Sequence, residues 1–180
     1  MVEPNHPTGS SLAVSERDAL EERLAARGMA LVSDEVFADF PWPPRQEALP
    51  GLLGERRVPT FVLGGISKCC GLPQLKLGWI VVAGPDRTRG TLIAGLEWIG
   101  DLFLSVGTPT QLALPELLAT RHAYQEQVRQ RLAANLDALE QWRRARPEID
   151  WLRGSAGWSA VLRLPRRVPR RGSTRCSIET

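Results

Sequence analysis

The chain has 180 residues, 43% of them apolar and 24% charged, with a formal net charge of +3. That balance describes a globular protein with room for one ordinary core, and it excludes collagen-like, low-complexity and highly charged disordered classes. Much of the positive excess lies at the C-terminus, where Arg166, Arg167, Arg170, Arg171 and Arg175 face only Glu179, so the body of the chain is near neutral and carries no general attraction to nucleic acid.

The N-terminus, MVEPNHPTGS, has neither the charged start nor the apolar run of a secretion signal. Ser15 with Asp18 three residues later reads as a capping box, opening a helix over ERDALEERLAARG with Leu20 and Leu24 inward and Gly28 as its stop. Met29 to Val32 is a short apolar run, the pattern of a strand buried in a parallel sheet. The Pro- and aromatic-rich stretch from Phe37 to Arg57 reads as a surface excursion with at most one short helix, and Glu35 just ahead of it as solvated. Thr60 to Leu63 gives a second buried strand and LGWIVVAG a third, followed by a helix opening near Pro85 and Asp86. Strand, loop, helix, strand is the grammar of an α/β protein.

From about Pro109 the character becomes helical. Val128, Leu132, Leu136, Leu139 and Trp142 fall four, four, three and three residues apart, one apolar stripe of a long helix that Pro115 and Pro147 bound or kink. A last strand, SAVLRL, precedes the basic tail, which reads as disordered from 166 to 180. The domain division expected is 1–123, 124–165 as linking helix and start of a small domain, then the tail. No run approaches the roughly 20 apolar residues of a membrane helix. The cysteines are Cys69, Cys70 and Cys176, an odd number that includes an adjacent pair; this indicates a reducing compartment, with the cytoplasm the expected location and small buried thiols the expected role.

Of 23 Lys plus Arg, only Lys68 and Lys76 are lysine, and they stand eight residues apart in SKCCGLPQLKLGW. A lysine amine can act as a nucleophile, whereas arginine stays protonated. Lys68 falls just after a predicted parallel strand, at the end where open α/β sheets gather ligands. A second cation at Lys76 suits an anionic group on the same ligand.

PNHPTG at 4–9, SDEVF at 33–37 and SKCCGLPQLKLGW at 67–79 together resemble the successive signatures of class I/II aminotransferases, the fold type I pyridoxal-phosphate enzymes. The likeness extends over roughly residues 1 to 165. It implies part of the large cofactor-binding domain, a mostly parallel sheet with helices, plus part of the small C-terminal domain. It also implies pyridoxal 5'-phosphate as cofactor, an amino acid and a 2-oxo acid as substrates, and a homodimer. Lys68 falls on the family's catalytic lysine, which bonds the cofactor aldehyde. Asp34 falls on the acid that pairs with the pyridinium nitrogen, and a carboxylate there keeps the ring protonated as an electron sink. Lys76 falls on the phosphate-binding cation, usually an arginine.

Three positions depart from the family pattern. Phe37 stands where many members carry a tyrosine hydroxyl. His6 stands where an asparagine usually precedes PTG, with Asn5 one place earlier, so which of the two reaches the ring oxygen is open. Gly64 and Gly65 leave little hydroxyl help for the phosphate ahead of Ser67. The resemblance also implies a chain about twice this long, so truncation at both ends is expected, with the tail reading as out-of-frame translation or a natural stop. Two further readings follow: a non-catalytic remnant or cofactor- or partner-binding module, and a lyase, decarboxylase or ligase of the same fold. With only His6 and His122 and no Cys/His cluster at ligand spacing, a triad hydrolase or zinc site is disfavoured, and neither nucleic acid nor membrane is an expected partner.

Overall fold

The computed structural model describes residues 1–43 and 51–165. The expectations for the tail and Cys176 therefore lie outside the described residues.

Helix α1 (Val14–Ala26) begins one residue before Ser15, so the predicted Ser15/Asp18 box does not form. Glu16 takes the role instead: its Oε2 accepts the Ala13 N–H at 2.7 Å, because a glutamate three residues into a helix reaches back to the first orphan donor. Gly28 ends the helix at φ +62, where a side chain would be strained. The face of α1 that meets the protein is charged rather than leucine-lined. Arg17 and Glu21 are buried, while Leu20 and Leu24 are half-exposed. Leu24 still packs on the cluster of Leu31, Leu52, Val58 and Val62. Glu3, 4% exposed, accepts from Arg17 Nη2 at 3.2 Å and from the Leu12 N–H at 3.1 Å. Glu21 accepts from Arg56 at 2.9 Å and from the Arg57 N–H at 3.2 Å.

Strands β1 (Leu31–Asp34) and β2 (Thr60–Gly65) pair in parallel, with Asp34 opposite Leu63. Strand β3 (Gly78–Ala83) runs antiparallel to β2, Gly65 opposite Gly78. Among the described residues the sheet thus holds one parallel and one antiparallel strand pair. Its physical reason is the connection: parallel neighbours need a crossover of a dozen or more residues, usually helical, whereas residues 66–77 fold on themselves and close at the base, Ile66 N–H to Leu77 O at 3.2 Å. That loop holds helix α2 (Ile66–Cys69) and a 3₁₀ turn at Pro73–Leu75. Ahead of α1, residues 1–3 run beside β1, with the Glu3 N–H on Asp34 O at 2.8 Å and the Asp34 N–H on Met1 O at 3.0 Å.

Pro85 precedes helix α3 (Asp86–Gly100) as expected. The helical region then divides into α4 (Thr108–Leu112), α5 (Leu114–Ala119) and α6 (Arg121–Arg144). Pro109 and Pro115 lie in the first turns of α4 and α5, where a missing N–H costs nothing. Helix α6 continues through Tyr124 without a break, and of its predicted stripe Val128, Leu132, Leu136 and Leu139 are half-buried while Trp142 is exposed. Strands β4 (Asp150–Leu152) and β5 (Val161–Arg163) form a separate antiparallel pair.

The Pro-rich stretch, where described, is only in part a surface excursion, with residues 53–55 and 57 exposed. Phe40, Trp42 and Leu52 are buried. Trp42 stacks on Trp151 at 5.7 Å, and its Nε1 donates to Gly157 O at 2.7 Å. Its aromatics join the end of the β1–β3 sheet to the β4–β5 unit, and burying rings of that size outweighs the turn chemistry of the prolines.

Two predictions follow from these ion pairs. Glu3→Ala removes a buried carboxylate that serves both Leu12 and Arg17, and urea unfolding should show a loss of about 3–5 kcal/mol. On α6, Glu140 accepts from Arg143 at 3.1 and 2.9 Å and from Arg153 at 3.4 Å, which holds its carboxyl down at about 2, against an ordinary 4.5. A depressed carboxyl contributes stability that is complete above its unfolded value and lost as pH falls through the folded one. The stability difference between wild type and Glu140→Gln should therefore shrink from about pH 4.5 down to about 2, and a carboxyl ¹³C titration should place the Glu140 midpoint near 2.

Candidate cofactor site

Because β1 and β2 run the same way, their carboxyl ends open on one edge of the sheet, and the antiparallel β3 starts at that edge. Asp34 is the last residue of β1. It is half-buried, and its Oδ1 accepts the Val36 N–H at 3.2 Å, a local turn bond that fixes the start of the following loop. Lys68 sits in α2, immediately after β2. Lys76 lies on the same closed loop, exposed, at φ +52 after the 3₁₀ turn.

The Lys68 amine lies over two rings, 5.6 Å from the centroid of Phe37 and 5.2 Å from that of Trp158, contacts worth about 0.5–2 kcal/mol each. Phe37 is buried, stacks on His6 at 5.3 Å and meets the edge of Trp158 at 5.4 Å. Phe40 meets Trp158 as well, at 5.0 Å. Asn5 is engaged by its own turn: its Oδ1 accepts from the Thr8 hydroxyl at 2.8 Å and its carbonyl from the Gly9 N–H at 2.7 Å. Lys68, Phe37 and His6 thus form one contact chain, Asp34 and Lys76 share its edge of the sheet, and Asn5 faces back into the PTG turn.

Trp158 is the residue that sequence reading missed. It is 37% exposed, carries no motif and comes 90 residues after Lys68. It arrives through the PTG turn, where Gly9 O accepts the Ser155 N–H at 2.7 Å and the Ala156 N–H at 3.2 Å. A Cβ on Gly9 would come within 2.4 Å of Ala156 O, so the motif's glycine is a steric requirement for this docking. Its available signal was a lone tryptophan after a glycine in the stretch before the last strand.

Other groups near the strand ends are structural. Glu35 is half-buried rather than solvated, accepting from the Leu52 N–H at 3.0 Å and the Ser33 hydroxyl at 3.2 Å, and burial pushes its carboxyl up. Cys69 and Cys70 are buried free thiols with sulfurs 3.5 Å apart, and burial together with the neighbouring thiol pushes Cys69 up to about 12. Gly64, which the sequence marks only as lacking a hydroxyl, leaves room for the cross-strand indole. A Cβ there would lie 2.4 Å from Trp79 Nε1, and Trp79 covers the cluster of Ile66, Cys69, Cys70 and Leu77 under α2.

An amine, a carboxylate and a second ammonium thus stand at the carboxyl edge of an α/β sheet. Residues 2–165 match the family model for aminotransferase class I and II, and the chain belongs to that family. Among curated relatives, it is 30% identical over 134 residues to arginine–pyruvate transaminase of Pseudomonas aeruginosa, covering 67% of this chain and 31% of that protein. It is 32% identical over 100 residues to threonine-phosphate decarboxylase of a Sinorhizobium, covering 56% of this chain and 27% of that protein. Among solved structures, N-succinyldiaminopimelate aminotransferase of Mycobacterium tuberculosis superposes with a TM-score of 0.67 at 25% identity, over 87% of this chain and 39% of that one. The chain therefore spans about a quarter to two fifths of the length of the proteins it matches.

Gly64→Ala should force Trp79 off the sheet, costing about 1–3 kcal/mol as overpacking does. Chemical denaturation measures the loss, and a red shift in tryptophan emission reports the displaced indole.

Proposed function

We propose that this chain carries the lysine-bearing side of a pyridoxal-phosphate aminotransferase that moves an amino group from an amino acid to a 2-oxo acid. The observation that carries the reading is the Lys68 amine over Phe37 and Trp158, at the strand edge where Asp34 ends β1.

The donor set fits pyridoxal phosphate in kind: an amine for its aldehyde, an acid for its ring nitrogen and a cation for its phosphate. When bound, that cofactor supplies an aldehyde conjugated to an electron-withdrawing ring. Lys68 Nζ would anchor the aldehyde and would serve as the base for the substrate Cα proton. Asp34 would hold the proton on the pyridine nitrogen, and Lys76 would meet the phosphate as a point charge without the fork of an arginine. Phe37 offers a ring and no hydroxyl, so hydrogen bonding to the phenolic oxygen falls to His6 or Asn5. Phe37 and Trp158 keep water from one side of the amine.

Residues 1–123 would belong to the large domain and 124–165 to the linking helix and small domain, with a second copy completing a homodimer in the cytoplasm. Among the described residues, no helix is long and apolar enough to cross a membrane. The decarboxylase relative supports a second reading on the same residues, in which the product is carbon dioxide rather than a 2-oxo acid.

Loading the protein with pyridoxal phosphate, reducing with borohydride and mapping peptides should find the pyridoxyl mass on Lys68. Lys68→Ala should give no adduct, and Lys76→Ala should weaken loading on the order of tenfold, as loss of a charged hydrogen bond does. An adduct on Lys76 alone, or none in wild type, would sink the reading. Assaying 2-oxo acid against carbon dioxide separates transferase from decarboxylase.

A further inference from the structure

We propose that Gln125 is a positioning residue for Lys68: from helix α6 its amide ties the backbone of the short helix bearing the lysine to the segment bearing Phe37. The proposal rests on the reading of Lys68 as the reactive amine.

Gln125 is 5% exposed, and its Nε2 donates to Cys69 O at 3.2 Å and to Asp39 Oδ2 at 3.1 Å. Cys69 follows Lys68 directly, and Asp39 stands two residues beyond Phe37. One planar amide therefore links the main chain beside the ammonium to the segment whose ring lies against that ammonium. The orientation is forced, because a main-chain carbonyl can only accept; the amino end of Gln125 must face it, and each of its two hydrogens then has a partner.

Helix α2 needs such an outside hold. It has four residues, far too few to be stable by its own hydrogen bonds. Its base is held by the Ile66 N–H on Leu77 O and by the Leu72 N–H on Ile66 O, both at 3.2 Å, and Gln125 holds its other end. The Asp39 side of the bridge is itself anchored. Arg129 Nη1 donates to Asp39 O at 3.4 Å, and the Arg121 and Arg129 guanidiniums and the His122 imidazole, all on α6, face the Asp39 carboxylate.

The two lysines supply their own standard for a test that needs no cofactor. Limited acetylation of the full chain with acetic anhydride, read by peptide mass spectrometry, gives the labelling ratio of half-buried Lys68 to exposed Lys76. Gln125→Met keeps the length of the side chain and removes both donors. It should raise the ratio about fivefold, the effect of one lost hydrogen bond, with Lys76 labelling unchanged.

The double variant Asp39→Asn with Gln125→Glu keeps one negative charge beside the α6 arginines and rebuilds the link between positions 39 and 125. It also sets an acceptor against Cys69 O, so it should fold, by near-ultraviolet circular dichroism, and keep the raised ratio. A wild-type ratio in Gln125→Met, or a return to it in the double variant, overturns the proposal. Borohydride trapping on wild-type Lys68 is scored separately, so the clamp and the cofactor reading can each fail without the other.

Discussion

Strand direction governs the rest of this structure. Asp34 pairs opposite Leu63 in a parallel ladder, so the last side chains of β1 and the first residues after β2 emerge at one edge. A one-residue slip of that register would turn Asp34 to the other face. With the ladder fixed, the closed loop of residues 66–77 delivers Lys68 and Lys76 to the same edge, and the antiparallel return of β3 follows from the loop's shortness. Chain direction sets the chemistry available here before any individual side-chain contact does.

A second constraint brings in the far end of the chain. The PTG turn binds residues 155–156 through the carbonyl of Gly9, and that contact carries Trp158 to Lys68 and Phe37. Buried aromatics from the Pro-rich stretch, Phe40 and Trp42, brace the same region. The lysine therefore sits where three separated segments meet, in surroundings that are aromatic on one side and polar along the strand edge. Two ring faces lie against the Lys68 amine and help fix its position.

What the sequence revealed depended on how local each cause was. The three motifs and the strands around them were legible because they rest on short apolar runs and on residue types with few alternative uses, lysine in an arginine-rich chain above all. The mixed sheet was not legible, since nothing in GWIVVA encodes direction and only closure of the preceding loop decides it. The N-terminus of α1 was misplaced because Ser15 and Asp18 offered a pattern as plausible as the Glu16 bond that formed. Burial of Arg17 and Glu21 in place of the leucines reflects ion partners at Glu3 and Arg56, which no helical periodicity can announce. Trp158 and Gln125 act across 90 and 56 residues, so their roles exist only once the chain has folded.

The vicinal cysteines sharpen the case for the amine. A thiol next to Lys68 would compete for any carbonyl brought to this edge, because thiolates are strong nucleophiles. Cys69, however, is buried beside Cys70, and burial together with that neighbouring thiol pushes it up to about 12, away from the reactive thiolate form. Its neighbours are Ile66, Leu77 and Cys70, so it contributes volume under α2 while its carbonyl takes the Gln125 hydrogen bond. With Cys69 buried under α2, Lys68 on the same short helix lies against Phe37 and Trp158. At the strand edge the amine is thus half-buried against two rings while the neighbouring thiol lies buried beneath α2.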